Sequence, residues 1–154
     1  IENISVWDNL CIALKTKKTF IATLLYKLSS EHLNKVSNTI NIINLKEKKD
    51  LIAKHLSHGE KQWLEIGMLL MQQPDLLLID EPVAGMTEKE TKNTSALLKK
   101  ISKKRTIIVV EHDMNFVESL GVEIIVLHEG SVLTRGTMNN IKKNQEVIDV
   151  YLGR

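Results

Sequence analysis

Two adjacent carboxylates, Asp80 and Glu81, directly follow the apolar run Leu76–Ile79. Four consecutive apolar residues predict a short buried strand, and α/β sheets bind ligands beyond the carboxyl ends of such strands. Neighbouring carboxylates repel each other unless a positive charge lies close to them. A magnesium ion bound with a nucleotide would supply that charge, so the pair predicts a nucleotide-processing site. A strand followed by a polar turn is the alternative.

The segment Ser57-His58-Gly59-Glu60 is a second candidate site. Ser57 and Glu60 have the spacing of a capping box, which satisfies two backbone donors at the start of a helix. The same helix start would present N–H groups and a partial positive charge to a phosphate. The two interpretations are compatible, and the sequence alone leaves both open.

His112 is a third candidate, because it stands two residues after the apolar run Ile107–Val110. Asp113 follows it and is suited to cap the next helix. A histidine at the end of a strand fits either a surface turn or a contact with a ligand.

The elements that must position these residues alternate between strand and helix. The strands lack polar alternation, so we expect them to be buried on both faces. Helices between them favour a parallel sheet with flanking helices, which is an α/β fold. The predicted strands are Leu76–Ile79, Ile107–Val110, Ile124–Leu127 and, after a turn at Glu129-Gly130, Ser131–Thr134. The predicted helices span 56–74, 88–102 and 114–120. Thr87 and Glu90 would cap the second of these helices, and Gly121 would end the third.

The first 55 residues are polar and rich in lysine. Apolar residues there recur at helical spacing, which predicts helices joined by short polar links. These positions include Leu24, Leu25, Leu28, Ile40 and Ile43.

Composition restricts the class of protein. The 154 residues are 43% hydrophobic, and 21 basic and 19 acidic residues give a net charge of +2. This balance does not indicate nucleic-acid binding. No apolar run approaches the roughly 18 residues that a membrane-spanning helix needs, and the single cysteine, Cys11, excludes an internal disulfide.

The three candidate sites, in their order along the chain, resemble the ATP-binding-cassette (ABC) family. Leu56–Glu60 resembles the family's signature motif, and Leu76–Glu81 resembles its Walker B strand with the catalytic glutamate. Ala84–Thr87 occupies the position of the D-loop, and His112 that of the switch histidine. The resemblance therefore implies a P-loop NTPase-like ATPase core preceded by a helical subdomain, with residues 1–74 forming the helical part and 75–154 the C-terminal part of the core.

The resemblance also implies a role for each candidate residue. Asp80 would hold Mg²⁺, Glu81 would activate water, and His112 would contact the γ-phosphate of ATP. The signature residues would contact ATP bound by a second ATPase subunit in a head-to-tail dimer. These residues are Ser57, His58, Gly59 and Glu60. Transmembrane permease subunits would be further partners, at the cytoplasmic face of the inner membrane.

Some residues depart from the family pattern. His58 replaces the first glycine of the signature, Glu60 replaces its glutamine, and Thr87 replaces the D-loop aspartate. The segments around the signature and 83–87 are most similar to the urea-importer subunit, with the branched-chain amino-acid importers as the alternative. Long coiled-coil insertions, typical of DNA-repair relatives, are not indicated because residues 1–55 show no sustained heptads.

The phosphate-binding loop of the family is missing from these residues. None of the seven glycines begins or ends a Gly-x-x-x-x-Gly-Lys-Ser/Thr segment. The segment Ile4–Leu10 resembles the one that follows the family's Q-loop, so we expect the chain to be a C-terminal fragment that is inactive by itself. A non-catalytic docking fragment and a generic α/β domain remain the alternatives from sequence.

Overall fold

A computed structural model describes residues 1–15 and 29–151. The predicted helical positions Leu24, Leu25 and Leu28 lie outside these ranges. The chain divides into two compact units, Ile1–Val110 and Glu111–Arg154. The division at 74/75 that the sequence suggests stays a prediction.

Helices form the N-terminal part of the first unit. Ser5, Ser29 and Ser57 each cap one of them with a side-chain oxygen that accepts a backbone N–H. Gly67 allows these helices to approach closely, since a Cβ there would come within 2.7 Å of Ile43 Cδ1. The helices are α1 (Val6–Ile12), α2 (Ser30–Ile42) and α3 (His58–Met71), with short 3₁₀ turns at Lys46–Lys48 and Ala53–His55.

A parallel β–α–β arrangement completes the first unit. It consists of β1 (Leu76–Asp80), α4 (Glu88–Ser102) and β2 (Thr106–Val110). The strands pair in parallel, with Leu76 opposite Thr106 and Asp80 opposite Val110. Both predicted strands and the helix between them are confirmed, and α4 has the predicted bounds. The helix predicted for 56–74 is also present, although it is shorter at both ends.

The two faces of this small sheet differ in burial. Leu77 is 2% exposed and faces the core together with Ile79, whereas Leu78 is 67% exposed and Ile108 50%. The prediction that the strands are buried on both faces is therefore wrong for β1. One face packs in the core, and among the described residues no element covers Leu78 on the other.

The second unit contains α5 (Met114–Leu120) and an antiparallel pair, β3 (Ile124–His128) and β4 (Ser131–Gly136). Glu129 and Gly130, with φ of 47° and 77°, form the predicted turn between these strands. Such positive φ values suit a two-residue hairpin, whose twist matches that of the flanking strands. The alternation of strands and helices favoured a parallel sheet of the first three strands. Among the described residues only β1 and β2 pair in parallel, whereas β3 pairs with β4 across the tight turn and is therefore antiparallel to it. Two short helices, α6 (Met138–Ile141) and α7 (Gln145–Tyr151), follow.

Among the helices of residues 1–15 and 29–151, none is both long and apolar enough to cross a bilayer.

Candidate functional site

The carboxylates Asp80 and Glu81 lie at the carboxyl end of β1, as predicted. Both residues are exposed, and the backbone N–H of Glu81 donates to the carbonyl of Val110 at 2.9 Å. Glu81 has a φ of 45°, which a residue with a side chain rarely adopts. Backbone strain of this kind concentrates at functional sites and costs about 1–3 kcal/mol. The strand end thus presents two negative side chains on a locally strained backbone.

A tight loop connects this strand end to α4. The Ala84 N–H donates to the Glu81 carbonyl at 3.2 Å, and the Met86 N–H donates to the Val83 carbonyl at 3.1 Å. Gly85 takes a φ of 68°, which glycine adopts without steric cost. The loop is thereby held by its own backbone hydrogen bonds immediately after Glu81.

The start of α3 forms the predicted capping box. Ser57 Oγ accepts the Glu60 N–H at 3.3 Å, and Glu60 Oε2 accepts the Ser57 N–H at 3.1 Å. Lys48 Nζ donates to Glu60 Oε1 at 2.5 Å. Glu60, which replaces the glutamine of the family pattern, therefore stabilises the helix start and is held by a cation.

The start of α4 forms a second capping box, and it touches the first. Glu90 Oε2 accepts the Thr87 N–H at 3.0 Å and the Thr87 hydroxyl at 2.8 Å. Glu90 Oε1 accepts the Ser57 hydroxyl at 2.7 Å. The Thr87 N–H, the Ser57 and Thr87 hydroxyls and the Gly59 N–H together lower the pKa of Glu90 from 4.5 to about 2. One carboxylate thus joins two helix starts that are 30 residues apart in sequence.

His58 makes a further connection between the signature segment and the loop after Glu81. Its Nε2–H donates to the Ala84 carbonyl at 3.0 Å. The glycine that the family pattern has at this position could not form this bond. The hydrogen bond brings the signature segment next to the loop that follows the two carboxylates.

Trp63 has a structural role behind this site. Its side chain is 7% exposed, and its Nε1–H donates to Thr94 Oγ1 at 2.8 Å. The Thr94 hydroxyl in turn donates to the Glu90 carbonyl at 2.9 Å. Trp63 and Thr94 therefore fix α3 against α4 directly below the Ser57–Glu90 contact.

His112 belongs to the second unit. Its side chain is 76% exposed, and its backbone N–H donates to Glu111 Oε2 at 2.9 Å. Asp113 caps α5 as predicted, because its Oδ1 accepts the N–H groups of Asn115 and Phe116 at 2.9 and 3.0 Å. His112 thus lies exposed in the segment before α5, and its sharing a crevice with Asp80 and Glu81 stays a prediction.

Comparison with known proteins identifies the family. A family model described as ABC transporter matches residues 1–84 of the chain. The chain belongs to the ABC transporter family. The ABC resemblance that the motifs indicated is confirmed, as is the α/β fold class with a parallel sheet.

Curated transport ATP-binding proteins are about a third identical to this chain over the aligned residues. LivG of Escherichia coli (strain K12), a high-affinity branched-chain amino acid transport ATP-binding protein, is 35% identical over 129 residues, or 82% of this chain and 51% of LivG. BraF of Pseudomonas aeruginosa, which has the same description, is 35% identical over 125 residues, or 80% of this chain and 49% of BraF. The chain therefore spans about half the length of the curated relatives it matches.

The fold also agrees with a solved ABC structure. MJ1267, an ATP-binding cassette of an ABC transporter in its ADP conformation, has a TM-score of 0.81 over 99% of this chain and 64% of its own. At 24% identity this agreement concerns the fold alone.

Asp80 is the candidate ligand for Mg²⁺. In residues 1–15 and 29–151, no three His, Cys, Asp or Glu side chains form a metal cluster. Mg²⁺ commonly uses one or two carboxylates together with the phosphates of a substrate and several waters. The exposed carboxylate of Asp80, at the end of a parallel strand, fits that kind of site.

Sequence reasoning missed the cross-helix part of the site. Glu90 was expected only as the cap partner of Thr87, and its bond to Ser57 spans 33 positions. The signal available in sequence was the presence of two capping boxes, at 57–60 and 87–90, but no pattern shows that two helix starts meet.

Proposed function

We propose that these residues form part of the ATP-hydrolysing subunit of an ABC importer. The observation that supports this most is the hydrogen bond from His58 to the Ala84 carbonyl at 3.0 Å. It connects the signature helix start with the loop that directly follows Asp80 and Glu81. A phosphate-binding helix start and a metal-binding strand end would both be needed for phosphoryl transfer.

Each residue has a role in this proposal. Asp80 would hold Mg²⁺, which when bound neutralises phosphate charge. Glu81 would orient the attacking water and accept its proton, and His112 would contact the γ-phosphate. Ser57 and Gly59 would donate hydrogen bonds to the γ-phosphate held by a second subunit, while His58 and Glu60 hold that helix start in place. Catalysis would consist mainly of positioning and charge neutralisation.

The partners follow from the same proposal. The relatives LivG and BraF are described as transport ATP-binding proteins. We infer that the present protein likewise works as a head-to-tail ATPase dimer below transmembrane permease subunits. It would then be peripheral to the inner membrane, on the cytoplasmic side.

Other residues of the complete ATPase would supply the phosphate-binding loop. The chain spans about half of LivG. The apolar side chains of Leu78 and Val110 are 67% and 57% exposed on one face of the β1–β2 sheet. Burial of such side chains contributes about 1.5–3 kcal/mol each. We propose that further strands of the same ATPase cover this face.

The transported solute is the finer part of the proposal. The motif segments around 58–68 and 83–87 support urea, whereas the names of LivG and BraF support branched-chain amino acids. Uptake of radiolabelled urea and radiolabelled leucine, measured in cells with and without the gene, separates the two. Loss of urea uptake alone supports urea, and loss of leucine uptake alone supports the alternative.

The ATPase proposal is tested by Glu81→Gln in the complete subunit. We expect MgATP still to bind, and phosphate release to fall at least about 100-fold, which is typical when an acid–base group is removed. Glu65→Gln, which removes an exposed carboxylate from the middle of α3, is the matched control and should keep normal turnover. Near-normal phosphate release by Glu81→Gln contradicts the proposal, and an inactive unaltered subunit favours a non-catalytic docking role.

A further inference from the structure

The carboxylate of Glu90 lies where an anionic ligand of the signature segment would bind. It accepts the Ser57 hydroxyl at 2.7 Å, and it lies directly against the backbone of Gly59. Ser57 and Gly59 are the residues that the proposed function assigns to the γ-phosphate. A carboxylate and a phosphate both offer anionic oxygens to such donors, so the two groups would compete for them.

The position of Gly59 shows how closely Glu90 covers this helix start. A Cβ added to Gly59 would come within 2.8 Å of Glu90 Oε1 and 2.9 Å of Glu90 Cδ. A phosphate oxygen cannot share this space with the carboxylate, since both would need van der Waals contact with the same backbone. Phosphate binding at Ser57 and Gly59 therefore requires Glu90 to move.

A movement of Glu90 would also affect the loop before α4. The same carboxylate caps that helix through the Thr87 N–H at 3.0 Å and the Thr87 hydroxyl at 2.8 Å. Thr87 ends the loop that begins after Glu81, and the Ala84 carbonyl in this loop accepts a hydrogen bond from His58. The cap, the signature segment and the loop after the catalytic glutamate are thus connected through one side chain.

We propose that Glu90 is a displaceable internal anion, which occupies the signature donors until a phosphate from the second subunit replaces it. Glu90 is a positioning residue in this account, because it acts through Ser57 and Thr87. The inference depends on the proposed ATPase function. It predicts that removal of the Glu90 charge makes the signature donors easier for a phosphate to reach.

The test uses Glu90→Gln in the complete subunit. Sedimentation velocity measures the MgATP concentration at which half of the protein is dimeric, and steady-state kinetics give KM and kcat separately. We call this MgATP concentration the half-dimer concentration. It and KM should each fall about tenfold, since the hydrogen bonds to the charged Glu90 carboxylate, which competes with the phosphate, are lost. A residue that only holds the helices together would show the opposite result, a higher half-dimer concentration.

Glu88→Gln is the matched control. Glu88 lies in the same first turn of α4 and carries the same charge, but it pairs with Lys92 at 2.8 Å and not with the signature segment. Its half-dimer concentration should equal that of the unaltered subunit. An unchanged or higher value for Glu90→Gln overturns the inference.

Glu90→Asp provides a second variant if Glu90→Gln fails to fold. The shorter side chain keeps its charge, and we expect it to lose the bond to Ser57, so the MgATP concentration for half-dimerisation should again be lower. If Glu81→Gln hydrolyses ATP normally, the proposed function fails. If Glu81→Gln is inactive and both Glu90 variants behave like the unaltered subunit, only the inference on Glu90 fails.

Discussion

Two regions of the first unit hold their polar side chains in opposite ways. At the paired starts of α3 and α4, Ser57, Thr87 and Glu90 satisfy one another through short hydrogen bonds. At the end of β1, Asp80 and Glu81 are exposed, and Glu81 has a strained backbone with a φ of 45°.

This difference implies that the helix starts contribute mainly to stability and the strand end mainly to chemistry. Hydrogen bonds at the helix starts stabilise the fold, so changes there should affect unfolding as well as function. The strand end contributes strain instead, and strain persists where the surrounding structure imposes it. We therefore expect changes at the strand end to affect function strongly while leaving the fold intact or making it more stable.

The largest expected effect concerns Asp80→Asn. Because Asp80 is exposed at the strand end, its replacement should change the free energy of unfolding by less than about 0.5 kcal/mol. Loss of the proposed Mg²⁺ carboxylate should lower kcat of the complete subunit at least about 100-fold. Chemical denaturation and phosphate-release assays measure both quantities. Asp75→Asn, just before the other end of β1, should change neither quantity. A large loss of stability in Asp80→Asn would contradict the proposed difference between the strand end and the helix starts.

The next effect concerns Ser57→Ala. Removal of an N-cap hydroxyl costs about 1 kcal/mol, within a range of about 0.5–2 kcal/mol. The Ser57 hydroxyl also donates to Glu90 in the next helix, so the loss of unfolding free energy in Ser57→Ala should lie in the upper part of that range. Ser29→Ala is the matched control, because Ser29 caps α2 in a capping box of its own. Equal losses from both variants, measured by urea denaturation, would show that the cross-helix bond adds no stability.

A smaller effect of opposite sign is expected for Glu81→Gly. Relief of the positive φ gains about 1–3 kcal/mol, and the greater freedom of glycine in the unfolded chain removes about 0.5–1 kcal/mol. The free energy of unfolding should therefore be about 1 kcal/mol higher in Glu81→Gly, even though this variant no longer turns over ATP. Glu81→Gln keeps the backbone strain and should leave stability unchanged. A destabilised Glu81→Gly protein would mean that the side chain itself supports the loop.

The smallest effect is the acid dependence of the helix-start region. The pKa of Glu90 is lowered from 4.5 to about 2, so its ionised form stabilises the folded state above about pH 4.5. This contribution should decline as the pH falls from 4.5 toward 2. The stability difference between the unaltered protein and Glu90→Gln, measured by denaturation across this interval, should decline in parallel.

Salt distinguishes Glu90 from its neighbour Glu88. The pKa of Glu88 is lowered by its hydrogen bond and charge interaction with Lys92 on an exposed surface, which salt screens. Neutral and backbone donors lower the pKa of Glu90 instead. High salt should therefore weaken the contribution of Glu88 to the pH dependence of stability and preserve the contribution of Glu90.

Local features were predictable from the sequence. The capping boxes at Ser57 and Thr87, the cap at Asp113 and the helix end at Gly121 depend on residues close in sequence, and all four are observed. The bounds of α4 agree with the prediction because its start and end signals are both local. The candidate residues Asp80, Glu81 and His112 were placed at strand ends for the same reason.

Features that depend on distant residues were not predictable. The apolar run of β1 indicated two covered faces, but the sequence does not state which residues cover them, and Leu78 is 67% exposed. The bond between Ser57 and Glu90 depends on how α3 packs against α4. That packing involves buried side chains such as Trp63 and Thr94, whose spacing specifies a helix face without specifying its neighbour.

The hydrogen bond of Trp63 to Thr94 gives the protein a built-in optical reporter. Indole emission depends on the polarity and hydrogen bonding around the ring, and this indole is one threonine away from the backbone of Glu90. Rearrangement of the α4 start should shift the emission wavelength of Trp63 without any attached dye. Trp7→Phe would leave Trp63 as the sole tryptophan of these 154 residues, which makes the signal assignable.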